Sequence, residues 1–152
     1  MKKLSEDQLA AWRAFVNAHS TIIGRIEKDL SAHSQVPLTW YDVLVALYQA
    51  PNKKLRMSEL AEKVVLTPSG LTRVVERLEK EGLVQRERTQ EDRRGSYAVI
   101  TREGKRAFLQ AWPTYEQGIY AYFISMLDEE ECRVLEKGLA RIYKAKANVP
   151  PT

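Results

Sequence analysis

Apolar residues recur along most of this chain at alternating spacings of three and four, the period of helices with one face turned inward. Leu9, Trp12, Val16, His19, Ile23, Ile26 and Leu30 form the first such stripe, with His19 its one polar member. Ser5, with Gln8 three residues on, predicts a capping box at the start of that helix. A stripe this long and narrow suits packing against other helices, and a subunit interface is expected there. Pro37-Leu38-Thr39 breaks the chain. Thr39 with Asp42 reads as the cap of a second helix carrying Val43, Leu44 and Leu47, which Ala50-Pro51-Asn52 ends. Leu55-Arg56-Met57 reads as a short extended piece, and Ser58 as the cap of a third helix with Leu60, Ala61, Val64 and Val65. Thr67 and Pro68 have the form of the N-cap and first position of a fourth. On it Leu71, Val74, Val75 and Leu78 fall at i, i+3, i+4 and i+7 and face inward, and Gly82 is its stop.

The period then changes. Leu83 to Arg88 and Ser96 to Ile100 read as two strands joined by a polar, charged tip, Thr89 to Gly95, and so as a β-hairpin. Thr101 opens a further helix that Pro113 is expected to interrupt or kink. Asp128 with Glu131 caps the last helix, whose apolar face is Cys132, Leu135, Leu139 and Ile142, and Asn148 to Thr152 are expected to fray.

Composition narrows the class. A chain of 152 residues with 44% hydrophobic and 29% charged residues fits one globular domain with helical extensions. No apolar run approaches the roughly 18 residues needed to span a bilayer. The start Met1-Lys2-Lys3-Leu4-Ser5-Glu6 lacks the apolar core of a signal peptide, and the single cysteine, Cys132, allows no internal disulfide. A cytoplasmic location is therefore expected. The net charge of +4 is unevenly spread: Asn52 to Arg106 holds 14 Lys and Arg against 9 Asp and Glu, and the remainder 10 against 11. A phosphate backbone would be drawn to that middle segment and not to its flanks.

Helix, short turn, helix and charged hairpin is the winged helix-turn-helix order. The expected fold is mainly α, a winged helix-turn-helix lobe with a β-hairpin wing plus N- and C-terminal dimerisation helices. Its parts are expected at residues 1–36 (dimerisation helix), 37–106 (DNA-binding lobe) and 107–152 (dimerisation helices). With its inward face used by apolar residues, the fourth helix presents Ser69, Gly70, Thr72, Arg73, Glu76, Arg77 and Lys80 outward. The small turn Pro68-Ser69-Gly70 lets the helix end approach a groove, and the unpaired backbone N–H groups there can bond a phosphate, with Thr67 and Gly70 among the expected backbone contacts. Thr72 can meet a thymine methyl or a base edge, and Arg73 has the fork for guanine O6 and N7. Arg77 and Lys80 are better placed for phosphates. At the hairpin tip Arg93 and Arg94 can reach the backbone or a narrow minor groove, with Asp92 as an arginine brace.

The run Leu66-Thr67-Pro68-Ser69-Gly70-Leu71-Thr72-Arg73, continued by Arg77-Leu78-Glu79-Lys80-Glu81-Gly82-Leu83-Val84, resembles the recognition helix of the multiple-antibiotic-resistance regulator (MarR) family. So does Asp92-Arg93-Arg94-Gly95 followed by Ile100-Thr101-Arg102-Glu103-Gly104. The resemblance implies a homodimer reading a palindromic operator on double-stranded DNA, in most members as a repressor. It implies base contacts at Ser69, Thr72 and Arg73, a minor-groove arginine at Arg94, and wing support from Asp92. It also implies release by a small, often aromatic, anionic effector. The peroxide-sensing subgroup needs an N-terminal cysteine that this chain lacks, and the zinc-binding subgroup's His, Cys and Glu cluster is not evident. No metal or cofactor is expected.

Plainer readings stand beside these. Arg73, Arg77 and Lys80 could be a solvated face, with Glu76–Lys80 and Arg77–Glu81 as i, i+4 pairs. Arg93 is open between phosphate contact and solvation. His19 reads as an interface histidine rather than a ligand, and His33 as a helix-end group. Trp12, His19, Tyr41, Trp112 and Tyr115 are the candidates for an effector pocket, against the ordinary role of aromatics as core, a role equally open to Trp40. Cys132 reads as a buried small hydrophobe. No paired cysteines, phosphate loop or nucleophile–base pair suggests an enzyme. A winged-helix protein-interaction module and a ligand or metal sensor are the rival classes.

Overall fold

The computed structural model describes residues 2–88 and 95–145. Asp92, Arg93, Arg94 and the rest of the hairpin tip up to Arg94 lie outside the described residues, as do Asn148 to Thr152. The order is α1 (Glu6–Ala32), α2 (Leu38–Gln49), a 3-10 turn (Pro51–Lys53), β1 (Lys54–Arg56), α3 (Met57–Lys63), α4 (Pro68–Lys80), β2 (Val84–Arg88), β3 (Ser96–Ile100), α5 (Arg102–Tyr122), a second 3-10 turn (Ile124–Met126) and α6 (Glu129–Ala145). The chain packs as two compact units, one of Ile26–Tyr115 and one of Met1–Arg25 with Glu116–Thr152.

The Ile26–Tyr115 unit is the winged lobe. Its core takes Val43, Leu44 and Leu47 from α2, Leu55 from β1, Leu60 from α3, Leu71, Val75 and Leu78 from α4, Val84 from β2, Ala98 from β3 and Phe108 from α5. Each of the larger side chains, Ala98 aside, contributes about 1.5–3 kcal/mol when taken from water, so the burial of α4's inward row fixes which face is left outside. The hairpin is part of a larger sheet: three antiparallel strands in the order β1-β3-β2, with Leu55 opposite Ala98 and Arg86 opposite Ala98 from the other side.

Several helix ends differ from the sequence reading. Ser58 is not the cap of α3. The N-cap is Arg56, whose N–H donates to the Glu59 carboxylate at 3.2 Å, so Ser58 sits inside the first turn. Nor do Thr39 and Asp42 cap α2: its N-cap is Pro37, and the Leu38 N–H donates to Glu27 Oε1 on α1 at 2.8 Å. α3 stops at Lys63, leaving Val64 extended and Val65 96% exposed. Pro113 does not interrupt α5, which runs unbroken across it.

At the junction of the lobe, Gly82 takes a left-handed φ of +73°, ending α4, with Leu83 N–H donating to Leu78 O. Thr101 ties this corner. Its N–H donates to Leu83 O at 3.1 Å, its hydroxyl donates to Gly82 O at 2.7 Å, and the same oxygen accepts from Gly104 N–H at 3.0 Å.

In the other unit the two expected capping boxes are formed, Ser5 with Gln8 and Asp128 with Glu131. The α1 stripe is divided: Ile26 and Leu30, in the lobe, are buried, while Trp12, Val16 and His19 are exposed, Trp12 to 62%. On α6, Val134, Ile142 and Tyr143 are likewise exposed. Cys132 is half-buried rather than buried, because the face it shares with exposed Leu135 and Ile142 is only partly covered within the chain.

Candidate nucleic-acid interface

The start of α4 is built by its cap. Thr67 Oγ1 accepts the Gly70 N–H at 3.1 Å, and Thr67 O accepts the Leu71 N–H at 2.8 Å. A Cβ on residue 70 would sit 3.0 Å from Thr67 Oγ1, so a glycine keeps the cap uncrowded. Pro68 has no N–H, and the Gly70 amide is committed to Thr67. The expected row of open donors therefore reduces to Ser69, the first-turn amide without a partner among the described residues. Thr72 donates its hydroxyl to Pro68 O at 3.0 Å. That turns the donor inward and leaves a methyl group and an acceptor lone pair for an approaching base edge.

Ser69, Thr72, Arg73, Arg77 and Lys80 are all exposed, on the side opposite buried Leu71, Val75 and Leu78. The helical pairs Glu76–Lys80 and Arg77–Glu81 are not formed. Among the described residues no carboxylate pairs with Arg73, Arg77 or Lys80, and Glu79 is drawn instead to Arg86 of β2, Oε2 to Nε 3.4 Å. Nothing among the described residues neutralises the cations on this face.

The wing root is braced on its other face by residues that sequence reasoning did not single out. Arg56 Nε donates to Tyr97 Oη at 3.1 Å, Lys54 Nζ lies 5.0 Å from the Tyr97 ring centre, and Lys54 pairs with Glu87 at 3.3 Å. The alternation of β3 points Tyr97 away from the core, but its partners come from β1, whose pairing with β3 is not visible in sequence.

Of the five effector candidates, Tyr41, Trp112 and Tyr115 come together in the lobe. Tyr41 stacks on Trp112 with ring centres 6.4 Å apart, and Tyr115 meets both edge-on at 5.0 and 5.8 Å. Burial raises both tyrosine pKa values first, with Tyr115 and Asp42 adding to Tyr41 and Asp42 adding to Tyr115. The Asp42 carboxyl is itself held above its ordinary value, by desolvation and then by Glu27. Trp40 packs, partly buried, against the lobe core. Trp12 and His19 lie on the exposed side of α1, in a ladder with Phe15 at 6.2 and 6.4 Å. His33 Nδ1 lies 2.8 Å from the last-turn carbonyl of Asp29, the expected helix-end role.

Residues 34–95 match a family profile described as the MarR family. An uncharacterized HTH-type transcriptional regulator of Bacillus cereus is 33% identical over 106 residues, covering 68% of this chain and 67% of that protein. The chain belongs to the MarR family. The structure of AbsC, a MarR-family transcriptional regulator from Streptomyces coelicolor, superposes with a TM-score of 0.86 at 28% identity over 98% of this chain and 100% of that one. Sco3205, a MarR-family regulator from the same organism solved in complex with DNA, gives 0.86 at 28% identity over 97% and 95%. This MarR-family chain is thus a transcriptional regulator and not an enzyme. Among the described residues no helix is long and apolar enough to cross a membrane, and no cluster of metal-ligating side chains occurs.

Proposed function

We propose that this MarR-family chain is a cytoplasmic repressor that binds a palindromic operator as a homodimer and lets go when a small aromatic effector binds. The observation that carries the DNA reading is the outward face of α4, where Arg73, Arg77 and Lys80 are exposed with no carboxylate partner among the described residues. Ser69, Thr72 and Arg73 read base edges in the major groove, Arg73 by its two-pronged fit to guanine. Thr67, Gly70, Arg77 and Lys80 sit against the backbone, Gly70 by close approach rather than through its amide. Arg94 enters the minor groove, Arg93 meets a phosphate and Asp92 supports the wing; these three roles rest on the motif alone. That Sco3205 was solved in complex with DNA supports the same use of the shared fold.

Pairing of two chains is supported by the exposed apolar side chains of α1 and α6, Trp12, Phe15, Val16, Val134 and Ile142 among them. Trp12 and His19 are assigned to that interface, and Tyr41, Trp112 and Tyr115 to the effector. Two recognition helices related by a two-fold would enter successive major grooves about 34–36 Å apart. The test is selection of a duplex from a random pool, then binding by the Arg73→Ala protein. The affinity should fall by about 1–3 kcal/mol, with relaxed base preference at one position of each half-site. Unchanged affinity for the selected duplex would remove Arg73 from base reading, and no enrichment of any sequence would remove the operator itself.

A further inference from the structure

The period of β2 assigns its side chains to two faces. Val84 points into the core beside α4, and Arg86, two residues on, is on the same face and reaches Glu79 of α4. Gln85 and Glu87 take the opposite face, where Glu87 is held by Lys54. Arg88 follows Arg86 by a further two residues, about 6.8 Å along the strand, and so returns to the α4 side. It occupies the last β2–β3 rung before the hairpin tip, opposite Ser96. It is exposed and has no ion-pair partner among the described residues.

We propose that Arg88 is a further phosphate contact of the wing, aimed by the Glu79–Arg86 ion pair that joins β2 to the recognition helix. The inference rests on the DNA-binding reading above and deepens it. The two strand faces divide the labour: one side of the wing root is neutralised by Lys54 with Glu87, and the other ends in a cation that is unpaired among the described residues, on the α4 side. Arg86 spends its charge on Glu79 and acts as a positioning residue. Arg88 keeps its charge for the backbone.

The test measures affinity for the pool-selected duplex, and for a scrambled duplex of equal length and composition, across a salt series. Each phosphate contact contributes about 0.9 to the slope of log affinity against log salt, so a dimer of Arg88→Ala should lose about 1.8. The preference for the selected over the scrambled duplex should change less than about twofold, since a phosphate contact carries no base information. Arg88→Lys should keep the slope because the charge remains, which separates a lost contact from a misfolded wing. With Glu79→Gln and Arg86→Gln together, adding Arg88→Ala should cost less than it does alone. A wild-type slope in Arg88→Ala overturns the proposal, as does an Arg88→Lys protein as impaired as Arg88→Ala. In either case the wild type still shows steep, sequence-dependent binding. Were the DNA reading itself at fault, the wild type would show neither slope nor preference.

Discussion

Gly104 stands where the lobe leaves no room for a side chain. It sits in the first turn of α5 directly over the turn that leaves α4, and a Cβ there would lie 2.2 Å from Leu83 O and 2.9 Å from Ile100 Cγ1. Ordinary contact begins near 3.4 Å, so Gly104→Ala forces α5 to retreat by about an ångström. The Leu83 carbonyl cannot swing aside, because it accepts the Thr101 N–H, and Thr101 is also bonded to Gly82 O. Overpacking of this kind costs about 1–3 kcal/mol, and weakening two hydrogen bonds adds about 0.5–1.5 kcal/mol each. Against this, alanine is the better helix former by about 1 kcal/mol. The net expectation is a loss of about 1–5 kcal/mol. Urea denaturation should show a lower midpoint with an unchanged slope. The sign decides the matter: helix propensity alone predicts a gain, so a Gly104→Ala protein as stable as the wild type, or more so, refutes the close-packing account.

Two further outcomes follow from local chemistry. Thr67→Ala removes the acceptor for the Gly70 N–H and should cost about 1 kcal/mol, whereas Thr67→Ser keeps it; equal losses for the two in denaturant titrations would show that the hydroxyl bond contributes nothing. The Asp42 carboxyl has a folded pKa above its ordinary 3.8, so the folded protein holds that proton more tightly than the unfolded chain. Ionisation therefore counts against folding at neutral pH and ceases to do so once the pH falls below 3.8. Asp42→Asn should be more stable than the wild type near pH 7, with the advantage shrinking on acidification; an advantage that grows in acid contradicts the shift.

What could be read from sequence was set by the range of each interaction. The capping boxes at Ser5 and Asp128 and the cap at Thr67 join residues three apart, and the inward row of α4 follows from helical geometry alone. The start of α3 was also locally encoded, by Glu59 three residues after Arg56, but a neighbouring serine offered the more familiar cap. The start of α2 was not, since its amide is met by Glu27 from the preceding helix. β1 is three residues long and acquires its place only by pairing with β3, so it read as an extended fragment and the sheet as a two-stranded hairpin. Within the candidate site, local spacing favoured Glu76 and Glu81 as partners for Lys80 and Arg77. The sheet instead supplies Arg86 as a competitor for Glu79, and the outward cations stay unpaired among the described residues.

Thr101 gives the lobe a property that no helix or strand has by itself. One side chain and one amide secure the end of α4, the residue leading into β2 and the opening turn of α5. None of the three can fray without releasing the others, so this corner opens all at once or not at all. The exit of the recognition helix is thereby coupled to the strand and the helix that follow it, and does not end in open chain.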